Sequence, residues 1–268
     1  MGVKNDRGKR GEALRKRKNS APAAHARVNP RAAPSVPRGM SLTREDLENG
    51  RMRRMLAESG HAPRVLTEEE LDASIRGVLA GVRTGEDVWV FGYGSLIWNP
   101  LLAHDEHRVA TLRGFHRRFC LWSTVGRGTR DCPGLVLGLD LGGSCQGLAY
   151  RLPAAQAADE LRLLWRREMV SGSYAPRWVR VDAAPCAASH GCKEELRALA
   201  FVVNRDHPNY AGRLPADVLL RALADACGHI GSSAEYLHNT VAALAAHGLR
   251  DTYLERLAHR VDREAARK

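Results

Sequence analysis

The sequence predicts an α+β protein in which a small sheet of short strands packs against helices, preceded by a disordered basic N-terminal tail. From Asp87 to Pro215, short apolar runs are separated by glycines and prolines, a pattern typical of strands. After Pro215, apolar residues recur at the three- and four-residue spacing of helices. Residues 1–40 instead hold eleven Lys and Arg side chains and two acidic ones.

The length and composition are those of one main folded domain with additions before it. The chain has 268 residues, and its 44% of hydrophobic side chains can bury one sizeable core. No apolar run approaches the roughly 20 residues of a transmembrane helix, and the charged residues after Met1 differ from a secretory signal. We therefore predict a tail at 1–40, a helical extension at 41–86 and a main domain at 87–263.

The tail carries a net charge of +9 out of +11 for the whole chain. Because it is rich in Pro, Ala and Arg, it cannot form a core and is predicted to be disordered. Its charge would allow contact with RNA or anionic lipid, but we do not expect nucleic-acid binding to be the function. An organelle transit peptide and a wrongly assigned start codon are alternative explanations.

Two helices are predicted in the extension, because two threonines are each followed by an acidic residue at capping-box spacing. The pairs are Thr43 with Asp46 and Thr67 with Glu70. The apolar side chains are Leu47, Met52, Met55 and Leu56 in the first helix, and Leu71, Ile75, Val78 and Leu79 in the second. The second set forms one stripe, so the second helix should dock firmly on the main domain.

The main domain begins with strands and ends with helices. Strands are predicted at Val88 to Gly92, Arg108 to Leu112, Arg118 to Leu121, Leu135 to Leu139, Leu148 to Leu152, Trp178 to Val181 and Leu199 to Val203. Helices are predicted at Pro215 to Cys227, Ser233 to Ala246 and Asp251 to Arg263. Helices packed on such a sheet define the α+β class.

The first strand stops abruptly in a loop that is suited to hold an anion. Its sequence is Val90-Phe91-Gly92-Tyr93-Gly94-Ser95-Leu96. Glycine lets the main chain approach a ligand closely and adopt positive φ, so that successive amides can converge on a carboxylate or an oxyanion. A plain hairpin can carry the same Gly-x-Gly pattern, so the loop indicates anion binding without requiring it.

Glu168 is the candidate catalytic residue, near the end of a helix that begins at Ala154. Leu161, Leu164, Trp165 and Glu168 fall on one helical stripe. Burial among apolar groups raises the pKa of a carboxyl group, which suits a general base. The alternative is a carboxylate paired with an arginine. Arg167 is adjacent, but helical geometry turns it roughly 100° away, so this salt bridge is not expected.

Beyond these two features, the chain resembles the ChaC family of gamma-glutamylcyclotransferases. The resemblance runs from Asp87 to Val261 and includes the blocks Phe91 to Trp98, Leu112 to Phe119, Gly126 to Thr129, Gln146 to Leu152, Arg167-Glu168, Ser171 to Tyr174, Asn209-Tyr210 and Glu235 to Leu237. It implies a small mixed β-barrel and cleavage of glutathione to 5-oxoproline and cysteinylglycine. The resemblance implies no metal and no organic cofactor.

The resemblance also implies roles for particular residues. Glu168 matches the proton acceptor, and the loop from Val90 to Leu96 matches the segment that binds the γ-glutamyl group. Arg127 is a candidate for binding the glycyl carboxylate, although a surface turn would also explain it. Tyr174 and Tyr210 match tyrosines of the family and either bind substrate or close the core. Where animal members have histidine this chain has Gly126, so no role of that histidine is carried over.

The six cysteines give no strong site. Cys186, His190 and Cys192 lie close together, but no second ligand pair has zinc-like spacing, so we predict no metal. A cysteine nucleophile paired with a histidine is a rival mechanism that no spacing favours. Reduced, inert thiols are consistent with a cytoplasmic protein, in the compartment where glutathione is abundant.

Three functions are consistent with the sequence. The first is a glutathione-specific cyclotransferase, whose partner is the small-molecule substrate. The second keeps the fold and the base but releases a different leaving group, from γ-glutamyl amines or γ-glutamyl amino acids. The third is a non-catalytic binding or regulatory protein, against which the intact Glu168 and loop argue.

Overall fold

The computed structural model describes residues 42–60, 64–185 and 194–267. Its centre is a closed five-stranded barrel with the strand order β1-β3-β2-β4-β5. The strands are β1 (Val88–Gly92), β2 (Glu106–Ser123), β3 (Gly134–Leu152), β4 (Tyr174–Ala183) and β5 (Glu194–Val203). The α+β class and the small mixed barrel are confirmed.

Strands β2 and β3 form one long antiparallel hairpin, paired from Glu106 with Arg151 to Ser123 with Gly134. The sequence predicted four short strands here, and that division is wrong. Gly114 has a φ of 83° and lies at one of two register shifts in β2, so the chain bulges there without leaving the sheet. A glycine that permits a bulge looks the same in sequence as a glycine that ends a strand.

The mixed character of the barrel comes from β1. This strand pairs antiparallel with β3, where Val90 lies opposite Tyr150. On its other side it pairs parallel with β5, where Val90 lies opposite Leu199. Strand β4 joins β5 and β2 and closes the barrel. The end of β1, and the loop that follows it, are thus held from both sides.

Helices cover the barrel. They are α4 (Ser95–Trp98), α5 (Ala154–Glu168), α6 (Ala216–Asp225), α7 (Ser233–Ala246) and α8 (Thr252–Ala265). Helices α5 to α8 lie close to the predicted positions, whereas the short α4 was not predicted. Two two-residue strands, β6 (Cys227–Gly228) and β7 (Gly231–Ser232), precede α7. Helix α5 packs on β1 and β5 through Leu161, Trp165 and Phe201, all at most 2% exposed.

The upstream residues form α1 (Arg44–Glu48), α2 (Arg51–Glu58) and α3 (Glu68–Leu79). Both predicted capping boxes are present, at Thr43 and Thr67. The first predicted helix is in fact two, because Gly50 adopts a left-handed conformation with a φ of 65° and turns the chain. Met52 and Leu56 consequently lie on a separate helix from Leu47.

Some predictions fall on residues that the structure does not describe. The basic tail at 1–40 and the group Cys186, His190 and Cys192 lie outside the described residues. Among the residues that are described, no helix has the length and apolar character needed to cross a membrane.

Candidate active site

A cavity next to the end of β1 brings together most of the polar side chains singled out in the sequence. The cavity has a volume of about 170 Å³. Its polar lining includes Ser95, Asn99, Arg127, Arg167, Glu168, Tyr174, Asn209 and Tyr236. A smaller void, lined also by Tyr93 and Gly94, adjoins it and shares Ser95, Glu168, Tyr174 and Tyr236.

Glu168 is the last residue of α5 and points into the cavity. Leu161, Leu164 and Trp165 of the same stripe are fully buried, as their spacing predicted. The Glu168 side chain is 13% exposed. Burial raises the pKa of its carboxyl group, and the positive charge of Arg167 offsets part of that rise. The carboxylate is therefore more basic than a glutamate in water.

The expectation that Arg167 points away from Glu168 is wrong. Its Nε lies 3.0 Å from Oε1 of Glu168. The guanidinium reaches across the end of α5 because it also donates to the Ser95 hydroxyl, at 2.9 Å, and to the Asn99 carbonyl. These tertiary partners draw the side chain out of the direction that helical spacing alone would give it.

The glycine-rich loop is shaped by the close approach of Tyr236. A Cβ atom on Gly94 would lie 2.8 Å from the Tyr236 hydroxyl, closer than real Cβ contacts allow. The amide of Ser95 donates to that hydroxyl at 3.3 Å. Tyr236 thus contacts the loop directly, and Gly94 is the residue that permits it.

Three tyrosine hydroxyls surround the inner end of the site. Tyr93 donates to the Phe201 carbonyl and Tyr174 to the Leu137 carbonyl, each at 2.8 Å. Removal from water raises the pKa of Tyr93, Tyr174 and Tyr236, so all three remain protonated at neutral pH. The Tyr93 and Tyr174 hydroxyls hold the surrounding strands, while that of Tyr236 faces the loop.

Arg127 lies in the cavity wall and is only 3% exposed. Its guanidinium pairs with Glu235 at 3.1 Å and lies over the rings of Trp98 and Tyr236, at 5.7 and 5.5 Å from the centroids. Burial lowers its pKa, an effect that Glu235 opposes. Its Nε is buried and has no hydrogen-bond partner among the described residues. The guanidinium therefore brings a positive charge to the cavity wall.

Other predicted residues support the site without lining the main cavity. Val90 and Phe91 are fully buried on opposite sides of β1, and Leu96 is a buried residue of α4. Gly92 lies where a Cβ would approach Leu96 and Tyr150 to 3.0 Å. These residues fix the position of the loop.

Tyr210 is not brought into the cavity. Its hydroxyl donates to Asp140 at 2.9 Å, and Asp140 is a fully buried carboxylate that also pairs with Arg205. The neighbouring Asn209 lines the cavity instead. The predicted residue Tyr210 thus lies outside the cavity lining, and its neighbour Asn209 lies in it.

Several polar residues of the site, among them Tyr236 and Arg167, were not among the candidate site residues of the sequence analysis. Tyr236 belongs to a block that carries the family resemblance, which is the signal that could have identified it. Arg167 also belongs to such a block, beside Glu168, but its helical position argued against a contact with the carboxylate. The apolar wall residues Leu42, Met52 and Leu56 were also missed, since they precede the block that carries the resemblance.

Comparisons with known proteins agree with this geometry. A family model described as "ChaC-like protein" matches residues 88–264. The glutathione-specific gamma-glutamylcyclotransferase of Escherichia coli strain K12 is 40% identical over 189 residues, which cover 70% of this chain and 79% of that protein. The human glutathione-specific gamma-glutamylcyclotransferase 1 is 36% identical over 152 residues, which cover 56% of this chain and 66% of the human protein.

A solved structure shares the fold. It is a yeast gamma-glutamyl cyclotransferase described as specific to glutathione, with a TM-score of 0.60 and 24% sequence identity. The match covers 68% of this chain and 98% of the yeast chain.

Proposed function

The chain belongs to the family of ChaC-like proteins, and on that premise we propose that it is a glutathione-specific gamma-glutamylcyclotransferase. It would cleave glutathione to 5-oxoproline and cysteinylglycine. The observation that carries the proposal is Glu168, a buried carboxylate of raised pKa that lies in one cavity with the glycine-rich loop. A base of this kind is what the reaction needs.

The reaction is an intramolecular aminolysis. The α-amine of the γ-glutamyl residue attacks its own γ-carbonyl carbon, a new C–N bond closes the five-membered ring, and the bond to the cysteinyl nitrogen breaks. Glu168 takes the proton that the amine loses and returns it to the departing nitrogen. No further reactant is consumed, so the protein must fold the substrate, move one proton and stabilise one oxyanion.

The loop and Tyr236 are placed to stabilise that oxyanion. The Tyr236 hydroxyl accepts a hydrogen bond from the Ser95 amide. Its own O–H group can therefore donate a hydrogen bond to a substrate oxygen. Burial keeps this hydroxyl protonated. Preset donors of this kind, held in a site with little water, contribute strongly to acyl-transfer rates.

Arg127 supplies a charge for a substrate carboxylate. Its positive charge and its position in the cavity wall support the assignment to the glycyl carboxylate of glutathione. Tyr174 lines the site with its hydroxyl bound to Leu137, so we assign it to the shape of the pocket. We assign Tyr210 to positioning, because its bond to Asp140 holds the loop that carries Asn209.

We further propose a cytoplasmic location, where glutathione is abundant. The four cysteines that the structure describes, Cys120, Cys132, Cys145 and Cys227, are free thiols, which agrees with a reducing compartment. Nucleic-acid contact by the basic tail remains a prediction that concerns residues outside the described part of the chain.

The test is incubation of the purified protein with glutathione, followed by mass spectrometry of 5-oxoproline and cysteinylglycine. Parallel samples contain γ-glutamylalanine and a γ-glutamyl amine. We expect paired products from glutathione and much less from the others. Products from another substrate alone would keep Glu168 and the loop but change the specificity, and no product from any of the three would favour a binding protein.

A further inference from the structure

The cavity wall includes residues from outside the block that defines the family. Leu42, Met52 and Leu56 line the same cavity as Glu168, yet they precede residues 88–264, which the family model matches. Leu42 and Met52 belong to one apolar cluster that also contains Ile230, another cavity residue. We call residues 42–58, which contain α1 and α2, the upstream wall.

The upstream wall is anchored to the catalytic helix α5 by an ion pair in which the carboxylate of Glu160 is buried and the Arg44 side chain is 42% exposed. Arg44 donates to both carboxylate oxygens of Glu160 on α5, each at 2.8 Å. The Glu160 side chain is 5% exposed and also accepts the Ala103 amide at 2.9 Å. Because breaking such a pair leaves a buried charge without its partner, the pair holds the upstream wall firmly. A second contact joins Arg166 of α5 to the Glu48 carbonyl at 3.1 Å.

The upstream wall also contacts the polar network around the base. Asn99 donates to the Leu42 carbonyl at 2.9 Å. The Asn99 carbonyl in turn accepts a hydrogen bond from Arg167, which pairs with Glu168. Two hydrogen bonds, both through Asn99, thus connect Leu42 at the start of the upstream wall with Arg167 beside the base.

The position of Glu168 determines which part of a bound substrate would contact the upstream wall. The reacting amine must lie at Glu168, which borders the inner void together with Ser95, Tyr174 and Tyr236. Leu42, Met52, Leu56 and Ile230 line the main cavity and do not line that void. A γ-glutamyl group bound in the inner void at Glu168 therefore extends its leaving group into the main cavity, whose lining includes Leu42, Met52 and Leu56.

We propose that the upstream wall is a specificity-determining surface that contacts the side chain of the leaving group, and this rests on the proposed function. The wall favours γ-glutamyl peptides whose second residue carries a sulfur or apolar side chain. Apolar wall residues make no favourable contact with a charged side chain of the leaving group, whereas the flexible thioether of Met52 adapts to a polarisable thiol. Arg127, which lies outside the upstream wall, binds the glycyl carboxylate of the same leaving group.

The experiment compares two tripeptides that differ only at this side chain, glutathione and γ-glutamyl-glycyl-glycine. The test variant is Met52→Ala combined with Leu56→Ala, and the matched control is Met55→Ala, on the same helix but outside the cavity lining. We expect the double variant to lose about tenfold in kcat/KM for glutathione, mainly through KM, as for small changes in an apolar pocket. Its kcat/KM for γ-glutamyl-glycyl-glycine should change by less than about twofold, since glycine offers no side chain to the wall.

A second variant tests the same proposal without touching the cavity lining. Arg44→Ala removes the anchor at Glu160 and should reproduce the loss on glutathione but not the loss on γ-glutamyl-glycyl-glycine. A deletion of residues 1–40 leaves the upstream wall intact and should retain wild-type constants for both peptides. Thermal melting of each variant verifies that the protein is folded before the constants are compared.

The outcomes separate this proposal from the one on which it rests. If the wild-type protein does not cleave glutathione, the proposed function fails and the assignment of the wall to a leaving group fails with it. If the wild type cleaves glutathione and the folded double variant keeps the wild-type ratio of the two constants, only the specificity role of the wall is overturned. An equal loss on both peptides would likewise overturn it, because the wall would then act on the γ-glutamyl end.

Discussion

Replacement of Glu168 by Gln is the most direct test of the proposed chemistry. Gln has nearly the shape of Glu and keeps an oxygen where the carboxylate oxygen of Glu168 lies 3.0 Å from the Nε of Arg167. It cannot take a proton from the substrate amine. We therefore expect Glu168→Gln to preserve the fold and glutathione binding while removing one catalytic function.

The size of the loss follows from the role assigned to the carboxylate. A positioned general base contributes about 10²- to 10⁴-fold, which corresponds to about 2.7–5.4 kcal/mol of transition-state stabilisation. The loop, Tyr236 and Arg127 remain in the variant, so their contribution to folding the substrate and stabilising the oxyanion is retained. We expect kcat to fall by two to four orders of magnitude and the glutathione Kd to change little.

The assay measures 5-oxoproline formation under single-turnover conditions and glutathione binding by calorimetry with the same protein samples. The thermal melt adds an independent control. A carboxyl group whose folded pKa is raised stabilises the protein most below its unfolded pKa of 4.5, and this stabilisation is lost as the pH rises through the folded value. At neutral pH, Glu168→Gln should therefore have an equal or higher melting temperature.

Turnover within tenfold of the wild type would refute the assignment of the base to Glu168. So would an unchanged acid limb in the pH profile. In the wild type, kcat/KM should fall as the pH drops through a value above 4.5, because protonated Glu168 cannot accept a proton. In the variant this limb should disappear from whatever activity remains.

Two further changes test the loop and the anchor. Gly94→Ala places a Cβ 2.8 Å from the Tyr236 hydroxyl and should lower kcat/KM at least tenfold in steady-state assays; Gly77→Ala, in open space on α3, should leave it unchanged. Burial raises the pKa of Glu160, but the hydrogen bonds from Arg44 and other partners keep it below 4.5. The ion pair therefore stabilises the fold above pH 4.5, and this stabilisation is lost as the pH falls through the pKa of the folded protein. Arg44→Ala should destabilise by about 1–3 kcal/mol in urea unfolding at pH 7, with a smaller difference at acid pH.

The features that the sequence predicted well are the ones that depend on near neighbours along the chain. The stripe that buries Leu161, Leu164 and Trp165 repeats at helical spacing, and the capping boxes at Thr43 and Thr67 close within three residues. Such patterns need no knowledge of the rest of the fold. The barrel was expected only through the family resemblance, because strand pairing joins segments that are far apart in sequence.

The same distinction explains the gaps in the predicted site. Ser95 meets Tyr236, and Arg44 meets Glu160, through contacts that span more than a hundred residues. Nothing in the local sequence of either partner indicates the other. Tyr210 shows the converse problem: its position in a matching block is correct, but its hydroxyl is bound by Asp140. A matching block identifies a loop and does not determine which of its side chains reaches the cavity.

The pairing of Arg167 with Glu168 meets two requirements that burial alone could not meet. The carboxyl group must be ionised near neutral pH, and it must also be basic enough to accept a proton. A carboxylate buried without a cation would be protonated near neutral pH, and a protonated base cannot accept the amine proton. A carboxylate fully neutralised by an arginine would be too weak a base. Arg167 divides its donors among Glu168, Ser95 and Asn99, so it lowers the pKa of Glu168 only in part, and burial still leaves that pKa raised. Loss of the Ser95 hydroxyl should therefore shift the acid limb of the pH profile to lower pH, because more of the arginine would then serve the carboxylate.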